Sequence, residues 1–156
     1  EKIALKKLKL TISEKQKNFT FLLILAIYGL DMAKNPIPIE INLQQKTKLL
    51  HIKFDDETEC KLSCEFLRVY SPSAEVQGHH PSQAILQVGK ENVNITKITP
   101  VGQYAIKLFF SDGHDTGLYS WAYLYNIAKN YEQLWLDYIM KLEDAGINRK
   151  VNDSDR

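Results

Sequence analysis

The period of the hydrophobic pattern changes once along this chain, near Ser120, and this change limits the folds that the chain can form. Before that point apolar residues recur mainly at every second position, as between Leu50 and Phe54, which predicts half-buried strands. After it they recur at every third or fourth position, which predicts amphipathic helices. We therefore predict an α+β fold, with an antiparallel sheet of about five to six short strands and a C-terminal helical pair packed on one face.

Turn-forming residues separate the predicted elements and fix their order. Strands are predicted at residues 39–43, 50–54, 58–62, 92–99, 104–110 and 116–119. One short helix is predicted after the third strand, with Ser63 as its N-cap and its end before Pro72. The C-terminal helices are predicted to begin at Ser120 and at Asn130, where Gln133 completes a capping box, and to end at Gly146. The polar residues from Asn148 onward are predicted to be loosely held.

The length, net charge and cysteine content of the chain limit the class of protein to which it can belong. With 156 residues, of which 44% are apolar, the chain can form one domain with a substantial core. Its formal net charge of +1 provides no large cationic field, so no nucleic acid partner is expected. Cys60 and Cys64 form no Cys-x-x-Cys motif and have no second pair, which favours ordinary thiols over a structural zinc site. So few cysteines are typical of a reducing compartment, and we predict a cytoplasmic protein.

The first 31 residues differ in character from the rest of the chain. Residues 18–30 carry no charge, and this run has the length of a signal-peptide core but is shorter than the roughly 20 residues that span a bilayer. No clean small-x-small cleavage site follows it, and Met32 begins a sequence typical of a cytosolic start. We expect residues 1–31 to be an extension, residues 32–149 to be the folded domain and residues 150–156 to be a polar tail. A membrane-contacting or export segment at residues 18–30, or an added core element, remains the alternative.

Two blocks of sequence suggest a family. The first runs from Phe66 to His79 and contains Tyr-Ser-Pro-Ser-Ala-Glu-Val-Gln-Gly-His; the second runs from Ser111 to Trp121 and contains Asp-Gly-His-Asp-Thr-Gly-Leu-Tyr-Ser-Trp. Together they resemble the gamma-butyrobetaine hydroxylase-like N-terminal domain, and the resemblance extends over residues 36–149. It implies a small module that occurs alone in bacteria, at the front of certain oxygenases and joined to iron-sulfur carrier ATPases. The partner that this implies is a protein, iron-dependent or carrying an iron-sulfur cluster.

The resemblance also identifies a metal site that this chain has altered. Metal-loaded relatives carry a Cys-x-Cys-x-x-Cys triplet in the first block and a histidine in the Asp-Gly-His segment of the second. Here Ser71, Ser73 and Val76 stand at the cysteine positions, and only His114 matches. Because neither hydroxyl nor isopropyl groups replace thiolates as zinc ligands, no metal cofactor is expected. A relocated zinc or iron site built from His79, His80 and His114 is the alternative, and turn and surface roles for these histidines outweigh it.

No catalytic motif is present in the sequence. It contains no Gly-x-Ser-x-Gly elbow, phosphate-binding glycine loop or His-Glu-x-x-His helix. An acid–base set could be drawn from Glu65, Glu75, His114 and Asp115, but nothing in the sequence brings these side chains together. We therefore predict that the chain is not an enzyme.

The first block favours a recognition surface, because it combines an aromatic ring, a guanidinium group and polar side chains in one loop. The candidate surface residues are Arg68, Tyr70, Ser71, Pro72, Ser73, Glu75 and Gln77. The alternative is that Arg68 and Tyr70 only pack and hydrogen-bond the loop in place. We predict a non-catalytic accessory module that acts through protein contacts, with a metal-binding or iron-sulfur assembly factor as the alternative.

Overall fold

The structure is a computed structural model, and it describes residues 35–78 and 83–150. The predicted extension at residues 1–31, the histidines His79 and His80, and residues 151–156 of the predicted tail lie outside the described residues. Within the described ranges no helix combines the length and the apolar character needed to cross a membrane.

The first half of the domain is a three-stranded antiparallel sheet. It consists of β1 (Pro38–Gln44), β2 (Leu49–Phe54) and β3 (Glu59–Ser63), in that spatial order. The alternation predicted for β2 is confirmed, since Leu50, Ile52 and Phe54 are completely buried. In β1 the pairing register shifts between Pro38 and Glu40, and Ile39 beside this irregularity is 63% exposed. The bulge therefore takes Ile39 out of the apolar face of its strand.

The second half adds another three-stranded antiparallel sheet, made of β4 (Ile95–Val101), β5 (Ala105–Phe110) and β6 (Leu118–Ser120). β4 continues through Pro100, although the predicted strand ended at residue 99. Proline is tolerated there because β4 is an edge strand and needs no outward N–H. Tyr104, predicted as the first residue of β5, lies in the turn before it and is 56% exposed.

The α+β class is confirmed, but the strands are divided between two sheets where one was expected. Residues 64–94 separate β3 from β4, and the described part of this segment, residues 64–78 and 83–94, contains two short helices and irregular stretches. The chain therefore does not return directly to the edge of β3. Both sheets contribute side chains to one buried cluster. Its members include Leu50, Ile52 and Phe54 from the first sheet and Ile95, Ile106 and Leu108 from the second.

Two short helices follow β3, whereas one was predicted. The expected helix is α1 (Cys64–Val69), and its N-cap is confirmed because the Ser63 hydroxyl accepts the N–H of Phe66 at 3.1 Å. The additional helix is α2 (Ala74–Gln77), a single turn inside the first sequence block. It is too short to show the apolar spacing by which longer helices are recognised.

The C-terminal helical pair is confirmed as α3 (Trp121–Lys129) and α4 (Tyr131–Asp144). Ser120 caps α3 as predicted, with its hydroxyl accepting the N–H of Tyr123 at 3.2 Å. The capping box at Asn130 is wrong, because the Asn130 side-chain amide donates to Asn126 O at 2.8 Å instead of capping α4. Gly146, with φ of 69°, ends α4 as predicted.

A buried ion pair fixes the end of the described chain, which was predicted to be loose from Asn148 onward. The guanidinium of Arg149 donates from Nε to Glu65 Oε1 at 2.8 Å and from Nη2 to Glu65 Oε2 at 2.6 Å. Glu65 is buried in α1, and the guanidinium lies 5.0 Å from the centre of the Trp135 ring on α4. Arg149 therefore ties the chain after α4 to the first helix.

Replacing Arg149 by alanine is expected to lower the free energy of unfolding by about 3 kcal/mol, because the Glu65 carboxylate would remain buried without its partner. Chemical denaturation of the variant and of Lys150→Ala, which changes an exposed neighbouring side chain, measures the difference. Equal stability of the two variants would contradict the structural role assigned to this pair.

Candidate functional site

The two sequence blocks meet in a buried cluster of polar side chains. Ser71 follows α1, Glu75 lies in α2, and His114 lies in the loop between β5 and β6. The Ser71 Oγ atom is 2.8 Å from His114 Nε2, and His114 Nδ1 is 3.3 Å from Glu75 Oε2. Ser71 is completely buried and His114 is 7% exposed, whereas the Glu75 side chain is 64% exposed. The contacts form a chain from the interior to the surface.

The backbone of the loop that carries His114 is held in place by its own hydrogen bonds. Phe110 N–H donates to His114 O at 2.9 Å, and Gly113, with φ of 86°, donates its N–H to Phe110 O at 3.1 Å. The Asp112 carboxylate also accepts the N–H of His114 at 3.3 Å. Asp112 and Gly113 thus form a turn between the strands that were predicted at residues 104–110 and 116–119, and this turn directs the imidazole inward.

Gly117 permits the close approach of the two blocks. A Cβ atom at this position would lie 2.3 Å from Ser71 Oγ and 3.1 Å from a ring carbon of Tyr119. Since non-bonded atoms do not approach so closely, any side chain at Gly117 would displace the Ser71 hydroxyl. The contact between Ser71 and His114 therefore requires glycine at position 117.

Both ring nitrogens of His114 have partners, which defines the form of the imidazole. The tautomer that satisfies both contacts carries its proton on Nδ1, donates it to Glu75 and accepts the Ser71 hydroxyl proton at Nε2. Burial lowers the pKa of His114, as does the charge of Arg68, while Glu75 and Asp112 partly oppose them. Neutral His114 is therefore the form that fits the site at neutral pH.

A second group of contacts, centred on Arg68 and Asp112, lies beside the site. Arg68 is 7% exposed and donates from Nε to Asp112 Oδ2 at 2.9 Å, and from Nη1 to Gln87 Oε1 at 3.0 Å. Lys90 donates to the same Asp112 oxygen at 2.7 Å. Burial opposes ionisation of Asp112, but the hydrogen bond from Lys90, with further help from Arg68, lowers its pKa. The Arg68 guanidinium therefore binds side chains of its own domain.

Ser73 and Val76, where the resemblance implies cysteine ligands in metal-loaded relatives, are buried and carry no thiol. Ser73 Oγ is buried without a hydrogen-bond partner, and Val76 is 4% exposed. Across residues 35–78 and 83–150, no three histidine, cysteine, aspartate or glutamate side chains lie together in a group that could hold a metal ion. Of the histidines predicted for a relocated site, only His114 lies among these residues.

The predicted recognition residues divide into an inner and an outer set. Arg68, Ser71 and Ser73 are buried, and the half-buried Tyr70 donates its hydroxyl to Leu134 O at 2.5 Å. Arg68 and Tyr70 are hydrogen-bonded within the domain, which agrees with the packing role that the sequence left open for them. Glu75 is exposed and Pro72 and Gln77 are partly exposed, so recognition by this outer set stays a prediction.

Several residues that hold the site were not found from the sequence. Tyr119 and Tyr123 donate their hydroxyls to Leu67 O at 2.7 Å and Tyr70 O at 2.6 Å, and Tyr119 belongs to the second block, where its presence could have suggested a role. Gln87 and Lys90 lie in the irregular connection before β4, where no pattern distinguishes them.

The order of Ser71, His114 and Glu75 is like that of a hydrolase triad, but the serine is closed off. A nucleophilic hydroxyl must reach a substrate carbonyl, and Ser71 has no exposed surface. A groove of about 600 Å³ lies beside β3 and α4, and one of about 300 Å³ lies beside α2. Neither is lined by Ser71 or His114. The geometry is that of a structural hydrogen bond.

Two small antiparallel sheets, a helical pair and a buried serine–histidine contact define a small α+β module. The particular family is shown by a family model described as gamma-butyrobetaine hydroxylase-like, N-terminal, which matches residues 41–125. The chain belongs to this family, and the resemblance inferred from the two blocks is confirmed.

This chain is also similar to proteins of solved structure. Two NMR solution structures are 50% and 46% identical to this chain, with TM-scores of 0.66 and 0.65. The first match covers 76% of this chain and 88% of the other, and the second covers 77% and 94%. A crystal structure of a protein of unknown function from Acidithiobacillus ferrooxidans, of the DUF971 family, is 35% identical over 58% of this chain and 91% of its own, with a TM-score of 0.48. No curated protein matches this chain.

The lowered pKa of His114 predicts a specific loss of stability on acidification. Because the unfolded histidine binds a proton more readily than the folded one, stability contributed by neutral His114 is complete above about pH 6.5 and is lost as the pH falls below it. Denaturant unfolding between neutral and mildly acidic pH should show a steeper fall for the unmodified chain than for His114→Gln. Parallel curves for the two proteins would rule out this role for His114.

Proposed function

We propose that this chain is a non-catalytic protein-contact module in which a direct hydrogen bond replaces the metal site of its metal-loaded relatives. The observation that carries the proposal is the 2.8 Å distance between Ser71 Oγ and His114 Nε2. Two ligand atoms that share a zinc ion lie farther apart, because each bond to the ion is about 2 Å long and the bonds diverge. The serine thus holds the histidine without an ion between them.

The competing proposal is a metal-binding or iron-sulfur assembly factor that uses His79, His80 and His114 with zinc or iron. His114 contributes little to such a site, because its two nitrogens already contact Ser71 and Glu75. Freeing Nε2 for a metal would leave the Ser71 hydroxyl buried without its partner, which costs about 1–3 kcal/mol. We therefore propose that the domain folds and acts without a metal cofactor.

The contact surface that we propose is the outward part of the first block, named here the α2 surface: Pro72, Ala74, Glu75 and Gln77. Ala74 and Glu75 are exposed, and Pro72 and Gln77 are partly exposed. The inner bonds of Ser71, together with that of Gln77 Nε2 to Ser71 O at 3.1 Å, keep this surface in one shape before binding, which lowers the entropy cost of association. The partner class, an iron-dependent or iron-sulfur protein, comes from the family alone, and a cytoplasmic location is supported by the free thiols of Cys60 and Cys64.

An affinity capture from native cell extract in the presence of a metal chelator tests the proposal. The unmodified chain should retain a partner under these conditions, because neither the fold nor the surface depends on a metal. Ala74→Arg should reduce capture at least about tenfold, since a long charged side chain at the centre of the α2 surface blocks close packing. Ala122→Arg is the matched control, because Ala122 is an exposed alanine on α3.

Elemental analysis of the same preparation separates the two proposals. The unmodified chain should hold no stoichiometric metal, and the triple variant Ser71→Cys, Ser73→Cys, Val76→Cys should gain one zinc ion by restoring the family ligand set beside His114. Stoichiometric zinc or iron in the unmodified chain, lost in His114→Ala, would overturn the proposal in favour of the metal-binding factor. Capture that Ala74→Arg and Ala122→Arg leave equally strong would overturn the assignment of the α2 surface.

A further inference from the structure

The outer edge of β3 is a second surface that could bind another chain. Among residues 35–78 and 83–150, β3 pairs with β2 alone and is the last strand of its sheet. The N–H of Cys64 donates to Lys48 O at 2.8 Å, and the N–H of Phe54 donates to Thr58 O at 2.9 Å. Hydrogen-bonded pairs alternate along an antiparallel ladder, so the even-numbered residues of β3 direct their backbone groups toward β2. The odd-numbered residues direct theirs outward.

The outward backbone groups belong to Glu59 and Lys61. Among the described residues, no backbone hydrogen bond from another element reaches either of them. A row of such groups is a template for one more strand. The groove of about 600 Å³ lies directly beside this edge, between Cys60 and Leu62 on β3 and Leu136 on α4. Leu136 is 53% exposed, so an added strand would also cover apolar surface.

The charged side chains along the edge of β3 are complementary to those of a second copy of β3. Glu59 and Lys61 flank Cys60, and both side chains are exposed on the same face of β3. If a second copy of β3 runs antiparallel about a two-fold axis at Cys60, Glu59 of each copy lies opposite Lys61 of the other. An axis at Glu59 or Lys61 would instead place like charges opposite each other, which is unfavourable. The pattern is self-complementary in one register.

We propose that β3 of this chain pairs with β3 of a second copy, antiparallel and centred on Cys60, to form one continuous sheet across an isologous dimer. The partner is thus another copy of the same chain, bound through residues that do not belong to the α2 surface. In this register the outward groups of Glu59 and Lys61 exchange backbone hydrogen bonds. Each Glu59 carboxylate, which already lies 2.9 Å from Lys53 Nζ of its own chain, also pairs with Lys61 of the other copy. The two Cys60 residues occupy a non-hydrogen-bonded pair, in which Cα atoms lie about 4.5 Å apart.

Charge reversal and mixing test this dimer in the full chain. Sedimentation equilibrium of the unmodified chain should show a concentration-dependent dimer. Glu59→Lys and Lys61→Glu should each weaken self-association by roughly tenfold, because each puts two like-charge pairs across the axis. An equimolar mixture of the two variants should recover the dimer, since every pair across the axis is then of opposite charge. This recovery also shows that both variants are folded.

A cross-link through Cys60 tests the register. Diamide, which is reduced as two thiols lose their hydrogens to form a disulfide, should link two chains through Cys60, because the expected Cα separation lies within the range of disulfides. Cys60→Ser should prevent the link, and Cys64→Ser should not, since Cys64 is completely buried. A monomeric unmodified chain at all concentrations, or a dimer that neither charge reversal weakens nor diamide links through Cys60, would overturn the proposal.

Discussion

The hydrogen bond between Ser71 and His114 is the contact on which the arrangement of this domain depends. It joins two segments that are 43 residues apart in sequence, and it brings the loop after α1 against the loop between β5 and β6. Neither segment has long regular structure of its own. Because the imidazole is buried and neutral, its bond to the serine is made in a setting where water does not compete, and its loss would leave two buried polar atoms without partners.

Two other buried charged side chains of the domain, Arg68 and Glu65, are paired with opposite charges. Arg68 reaches Asp112 on the loop that carries His114, and Glu65, in the same helix as Arg68, binds Arg149 beyond α4. α1 is thereby linked to the second sheet and to the C-terminal helical pair through side chains that point inward. Such pairs add little net stability when compared with apolar packing, but breaking one is costly, so they favour a single arrangement of the loops. A surface held in this way can bind a partner without first becoming ordered.

The sequence was informative where one local rule decided the structure. The alternation of β2, the serine caps of α1 and α3 and the glycine stop at Gly146 follow from spacing and backbone preferences, and all were predicted. Three features depend on tertiary contacts, which no local sequence pattern encodes. They are the division into two sheets, the continuation of β4 through Pro100 and the absence of the predicted cap at Asn130. The two blocks marked Ser71 and His114 as site positions, but only the fold showed that they contact each other. The role of Lys90 at Asp112 had no sequence signal.

Two-dimensional proton–nitrogen NMR of the His114 side chain measures its protonation state and its hydrogen bond to Ser71. We expect a neutral ring at pH 7 with the proton on Nδ1. The Nε2 resonance should shift when Ser71 is replaced by alanine, because that nitrogen accepts the serine proton. A ring protonated on both nitrogens would contradict the proposed bond between Ser71 and His114. An Nε2 resonance that changes when metal is removed, and not when Ser71 is replaced, would contradict it as well.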